Sequence, residues 1–132
     1  MNHFVTKQIS IYFPYEAEVP HELLAIGGLQ QPLPAELPPF VRVAKFEERV
    51  IGVYLLETED GVRFSLESLA VEEAFRGRGL GSWLVGHAIG VAESKGGRRV
   101  WLPESRYTGS LFDRLGFARE ASIYELEITP EN

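Results

Sequence analysis

The chain has 132 residues, a length that fits one domain with a buried core and hardly two. Its 45% hydrophobic and 24% charged residues sit near the averages of soluble globular proteins, so composition points neither to disorder nor to a membrane protein. A net charge of −6 argues against nonspecific nucleic-acid binding, and the lack of cysteine excludes disulfides, thiolate metal sites and a cysteine nucleophile.

The N-terminal "MNHFVTKQISIYF" shows none of the features of a secretory signal, and no apolar run approaches the ~20 residues that span a bilayer, so a cytoplasmic location without a membrane partner is expected. This stretch reads as a strand. "EVPHELLAIGG" then reads as a short helix with Pro20 in its first turn and Gly27 or Gly28 at its end. Residues 29–40, "LQQPLPAELPPF", carry prolines too densely for regular structure and read as a connector. "VRVAKF", "RVIGVYLLE" and "VRFSLESLAV" follow, rich in β-branched and aromatic residues and separated by "EE" and "EDG". They predict three antiparallel strands joined by tight turns.

From Leu80 to Ser94 the spacing predicts a helix closed by "KGG", with Gly86 and Gly90 on one face for close backbone packing. "RRVWL" predicts a strand, "SLFDRLG" a helix ending at Gly116, and "SIYELEI" a last strand. That last strand is either an edge open to a second copy or covered within a monomer. The histidines at positions 3, 21 and 87 have no ligand spacing, so no metal is expected.

Between the third predicted strand and the long helix lies "RGRGLG". The first amides of a helix lack intrahelical partners and sit at the positive end of its dipole, which makes an anion site. Gly77, Gly79 and Gly81 keep side chains out of the way, and Arg76 and Arg78 can add charge-assisted contacts to phosphate oxygens. Arg76, Arg78, Arg98 and Arg99 are the densest basic cluster of the sequence, near this loop or the strand after it, which suits a small polyanion better than a duplex. A P-loop would need a lysine after the last glycine, and none is there. A dinucleotide fingerprint would need its third glycine one place later, although Glu104 could serve as the distal acid.

"RGRGLG" after "LESLAV" resembles the R/Q-x-x-G-x-G/A loop of the GNAT superfamily of acyl-CoA-dependent N-acyltransferases. "SRYTGSLFDRLGF", Ser105 to Phe117, is similar to a second block of that family, N-x-x-A-x-x-F-Y-x-x-x-G-F. The resemblance covers residues 41–128 and is loose over 1–40, within one domain of 1–132. It implies an α/β fold with a mixed, mostly antiparallel sheet, flanking helices and splayed fourth and fifth strands. It also implies acetyl-CoA, held by Arg76, Gly77, Arg78, Gly79, Leu80, Gly81 and Ser82, by Leu69, Ala70 and Val71 at the strand end, and by Ser105 and Phe112.

The implied reaction is direct attack of a primary amine, on a small molecule or a protein, on the thioester. An amine with a pKa of ~10.4 must first lose a proton, and Glu67 is the candidate base. By the period of two, Glu67 would share a face with Leu69 and Val71. The oxyanion would be held by a backbone donor at the strand end. His87 and Tyr124 are weaker proton carriers. Phe112 stands where the family has an acidic tyrosine and Ser105 where it has asparagine; Tyr107, Ser105 or water could substitute as the acid. The missing acid sustains a second expectation, an acetyl-CoA-binding GNAT-fold regulatory module with little or no turnover that controls a partner enzyme, in which residues 29–40 are a docking surface. Acidic Glu16, Glu18, Glu22 and Glu36 near the pocket mouth would favour cationic acceptors. The protein is expected to be a monomer or homodimer.

Overall fold

The computed structural model describes residues 8–103 and 111–129. The elements run β1 (Ile9–Tyr12), α1 (His21–Ile26), β2 (Val41–Phe46), β3 (Arg49–Thr58), β4 (Arg63–Val71), α2 (Leu80–Ser94), β5 (Arg99–Pro103), α3 (Leu111–Arg114), β6 (Ala118–Glu120) and β7 (Ile123–Glu127). The strands form one sheet in the order β1-β2-β3-β4-β5-β7-β6, with β4 and β5 parallel and every other pair antiparallel. This is the mixed, mostly antiparallel α/β architecture that the resemblance implied.

Each face of the sheet carries its own core. On one, Tyr54, Leu56, Phe64, Leu66, Val100 and Leu102 pack with Leu80, Leu84, Val85, Ala88 and Ala92 of α2 and Phe112 of α3. On the other, Val41, Val43, Val53, Leu55 and Ala70 pack with Leu24 of α1, while Leu29, Leu33 and Leu37 of the connector lie partly buried against them. The connector is therefore held to the sheet by every fourth residue along its irregular course.

Several expectations change. Gly86 and Gly90 lie on the exposed face of α2, where an added Cβ would meet nothing within 4 Å, so they do not mediate close packing. The four arginines divide as two at the loop and two at the start of β5. Gly79 precedes α2 and Arg98 follows it, so a 15-residue helix of ~22 Å separates the pairs. β6 has no sequence signal because all its residues are exposed, and its two-residue turn into β7 places Ala121 at φ 56 without a glycine. β6 therefore takes the edge, and "SIYELEI" lies inside the sheet.

Tyr54 is fully buried, with its hydroxyl 2.6 Å from Nδ1 of His87 on α2. Burial raises the proton affinity of the phenol, whereas burial first and the charge of Arg42 second lower the pKa of the imidazole. Both effects favour a neutral pair in which Tyr54 donates to Nδ1. His87 is thereby a packing partner of the α2 face.

Two outcomes follow for stability. Replacing Gly86 or Gly90 by alanine stabilises the fold by up to ~1 kcal/mol each, because the sites are open and helical; urea unfolding midpoints check this. His87 binds its proton less readily when folded than unfolded. Its contribution is therefore complete above its unfolded pKa of ~6.5 and is lost as pH falls through its lower folded pKa. Wild type should lose more stability than His87→Gln between pH 7.5 and 5, measured by paired urea titrations.

Candidate active site

Two irregularities of β4 build the site. The first is a bulge. Leu56 pairs with Leu66 and Leu55 with Ser68, so Glu67 is an extra residue with no opposite number on β3. A bulge shifts the alternation of everything beyond it. Phe64 and Leu66 face α2; past the bulge Ser68 and Ala70 face α1, and Leu69 and Val71 face α2. Glu67 instead lines a cavity of about 530 Å³ with Arg63, Ser65, Trp101 and Pro38–Phe40. The expectation that Glu67, Leu69 and Val71 share one face is therefore overturned, because the period of two does not run through a bulge.

The second irregularity is the parting of the parallel strands. β4 and β5 pair only at Arg63↔Arg99, Phe64↔Val100 and Ser65↔Trp101. Beyond Ser65 a gap opens between them. In an antiparallel ladder, alternate residues direct both backbone groups to the same side. The Leu69 N–H goes to the Gly27 carbonyl at 3.2 Å, away from β3, and the Val71 carbonyl accepts from Arg76 Nε at 2.9 Å. Leu69 and Val71 thus present backbone groups to the gap, whereas those of Ala70 belong to the β3 ladder.

At the open end of the gap lies the glycine loop. Gly77 and Gly79 have φ of 78 and 84, a left-handed backbone that glycine adopts without strain. Gly79 caps α2, whose first intrahelical bond runs from Trp83 N–H to the Gly79 carbonyl. The amides of Leu80, Gly81 and Ser82 therefore lie ahead of that ladder, as an anion requires. Among the described residues, a Cβ on Gly77 or Gly79 would meet nothing within 4 Å and one on Gly81 only Leu111 at 3.9 Å, so these residues leave the cradle clear. Leu80 itself is buried in the core, leaving its amide as the group it can offer. Arg76 has its Nε bound to Val71, so its terminal nitrogens form the available fork; Arg78 stacks over Phe75, 5.7 Å from the ring centre.

Phe112 is buried in the core, with Phe117 at 5.2 Å and Tyr124 at 5.8 Å between ring centres. Tyr124 is equally buried. Glu104, Ser105 and Tyr107 lie outside the described residues.

Around the cavity the carboxylates are Glu57, Glu59, Asp60 and Glu67. The expected Glu16, Glu18, Glu22 and Glu36 do not line it; Glu18 is taken up by Lys45 at 3.1 Å and the Tyr12 hydroxyl at 2.8 Å. Desolvation first and the charge of Glu67 second raise the pKa of Glu57. Arg63 reaches across to Glu125 at 2.8 Å and over Trp101, 4.7 Å from its centroid. Glu57, Trp101 and Pro38–Phe40 escaped the sequence reading. Alternation with Val100 and Leu102 put Trp101 on the face opposite α2, but only strand pairing brings it beside Ser65.

The sequence matches the family model described as "Acetyltransferase (GNAT) family" over residues 6–117. No curated protein matches it. Among solved structures it is similar to a GNAT family acetyltransferase from Elizabethkingia anophelis with acetyl-CoA bound, at 18% identity and a TM-score of 0.73 over 92% of this chain and 99% of that one. It is likewise similar to the ribosomal-protein-S18-alanine N-acetyltransferase of Escherichia coli, at 16% identity and a TM-score of 0.74 over 94% and 96%. A third likeness, at 18% and 0.78, is to N-acetylglutamate synthase from Neisseria gonorrhoeae complexed with coenzyme A and N-acetyl-glutamate, covering 92% of this chain and 35% of that one. With the family match spanning most of its length and a glycine cradle set over parted parallel strands, the chain belongs to the GNAT acetyltransferase family.

Proposed function

We propose that the chain transfers an acetyl group from acetyl-CoA to a primary amine. The observation that carries this reading is an arrangement along β4: Glu67, just past the last residue paired to β5, lines the cavity, and the strand runs on to the glycine loop and the amides that start α2. The residues present fit coenzyme A. Its pyrophosphate suits the amides of Gly79, Leu80, Gly81 and Ser82 with the cations of Arg76 and Arg78, and its amide-bearing arm suits the side of β4 that β5 does not pair beyond Ser65. When bound, acetyl-CoA supplies an activated acetyl thioester at the closed end.

Glu67, re-aimed by the bulge into the cavity, takes the proton of an incoming ammonium directly or through water. Backbone amides on the open edge of β4 hold the developing negative charge. Phe112 has no proton to give, and a thiol of pKa ~8.5 leaves without strong acid assistance. The carboxylates of Glu57, Glu59 and Asp60, with the Trp101 ring, favour an acceptor that arrives with positive charge.

Two experiments test this. At about 100 times its dissociation constant, acetyl-CoA should stabilise the wild-type protein by ~2.7 kcal/mol in a thermal-shift titration. Arg76→Ala and Gly79→Val should each weaken that binding by about tenfold or more; a flat wild-type titration at millimolar acetyl-CoA would remove the reading. In an acetyl-transfer assay with free thiol as readout, cationic amines should outperform uncharged amines of equal size. Glu67→Gln should lower kcat by ~10²–10⁴ while the Kd for acetyl-CoA stays unchanged. Equal rates for the two proteins would exclude Glu67 as the base.

A further inference from the structure

The open edge of β4 is already closed from within. Ser68 is fully buried, the one buried polar residue among those described, and its Oγ donates to the Leu24 carbonyl of α1 at 2.8 Å. One residue on, the Leu69 N–H donates to the carbonyl of Gly27, the cap of α1. Gly27 is right-handed at φ −77, so its backbone angle does not require glycine. What requires it is proximity: an added Cβ would lie 2.6 Å from Ser68 Oγ and 2.7 Å from the Leu69 carbonyl oxygen. The last turn of α1 is thus seated tightly on the strand at the point where β4 faces the gap.

The geometry points to a latch. A ligand stretched along the gap, with a carbonyl reaching the Leu69 amide, needs the same hydrogen-bond donor that the Gly27 carbonyl holds, and one N–H directed into the gap does not serve both. Occupation of the gap and docking of the α1 turn therefore exclude each other at Leu69, and ligand binding releases the turn. Gly27 and Ser68 are positioning residues: they act through α1 and set how much of the protein is open to the ligand. The connector that begins at Leu29, two residues past Gly27, ends at the cavity wall of Pro38–Phe40, so release of the turn also alters the cavity beside Glu67. This inference rests on the proposed use of acetyl-CoA.

The test uses the full chain and acetyl-CoA as the probe. Ser68→Ala removes the tie to Leu24 without adding bulk, and Gly27→Ala forces the turn outward. Each should lower the Kd for acetyl-CoA by about threefold or more, because a larger fraction of the protein is already open. In the wild type, amide hydrogen exchange over residues 24–29 should speed up on acetyl-CoA binding while the start of α2 slows. The exchange measurement needs no variant, so misfolding of Gly27→Ala leaves the question decidable. Acetyl-CoA binding with equal Kd in wild type and Ser68→Ala, and with exchange over 24–29 unchanged or slower, overturns the latch and leaves the functional reading standing. No binding to any of these proteins overturns both.

Discussion

β4 and β5 stop pairing after Ser65, and the placing of α1 and of the glycine loop follows from that break. Three parallel pairs hold the two strands together, and past them no strand among the described residues pairs that side of β4. Backbone N–H and C=O groups in a protein interior need partners. Here the partners come from outside the sheet: the Gly27 carbonyl for Leu69 and the Arg76 guanidinium for Val71. The positions of α1 and of the glycine loop are both tied to that edge.

The bulge at Glu67 gives the same strand two cores to serve. Ahead of it, Phe64 and Leu66 fill the α2 side; after it, Ala70 fills the α1 side and Val71 the α2 side. A regular strand would have kept Ser68 and Ala70 on the face of Phe64 and Leu66. One inserted residue moves them across and leaves Glu67 turned toward the cavity, next to Ser65. The candidate base owes its direction to backbone irregularity and not to any property of its own side chain.

Charge is divided along the gap. Its open end is lined by helix amides and by Arg76 and Arg78, and further along the loop Glu72 pairs with Arg49. Its closed end carries Glu57, Glu59, Asp60 and Glu67, with Arg63, the one cation of that wall among the described residues, turned to Glu125. An acidic chain thus keeps a local anion site at one end and an acid-rich pocket at the other. The proposed transfer from a phosphate-bearing donor to a cationic acceptor would use this polarity.

The elements and the phosphate-type loop can be read from local sequence. Periodicity, glycine stops and proline breaks are local effects, and they place α1, α2 and the central strands within a few residues of where they lie. The cradle was legible too, because left-handed glycines and free helix amides depend only on neighbours in the chain. Tertiary structure alone decided the rest. The face of Glu67 depends on a register shift against β3, the placing of Trp101 beside Ser65 on a parallel pairing, and the separation of Arg98 and Arg99 from the loop on the length of a helix between them. The docking of Gly27 on Leu69 joins residues more than forty positions apart. No local pattern encodes such a contact, because its energy belongs to the packed pair and not to either segment.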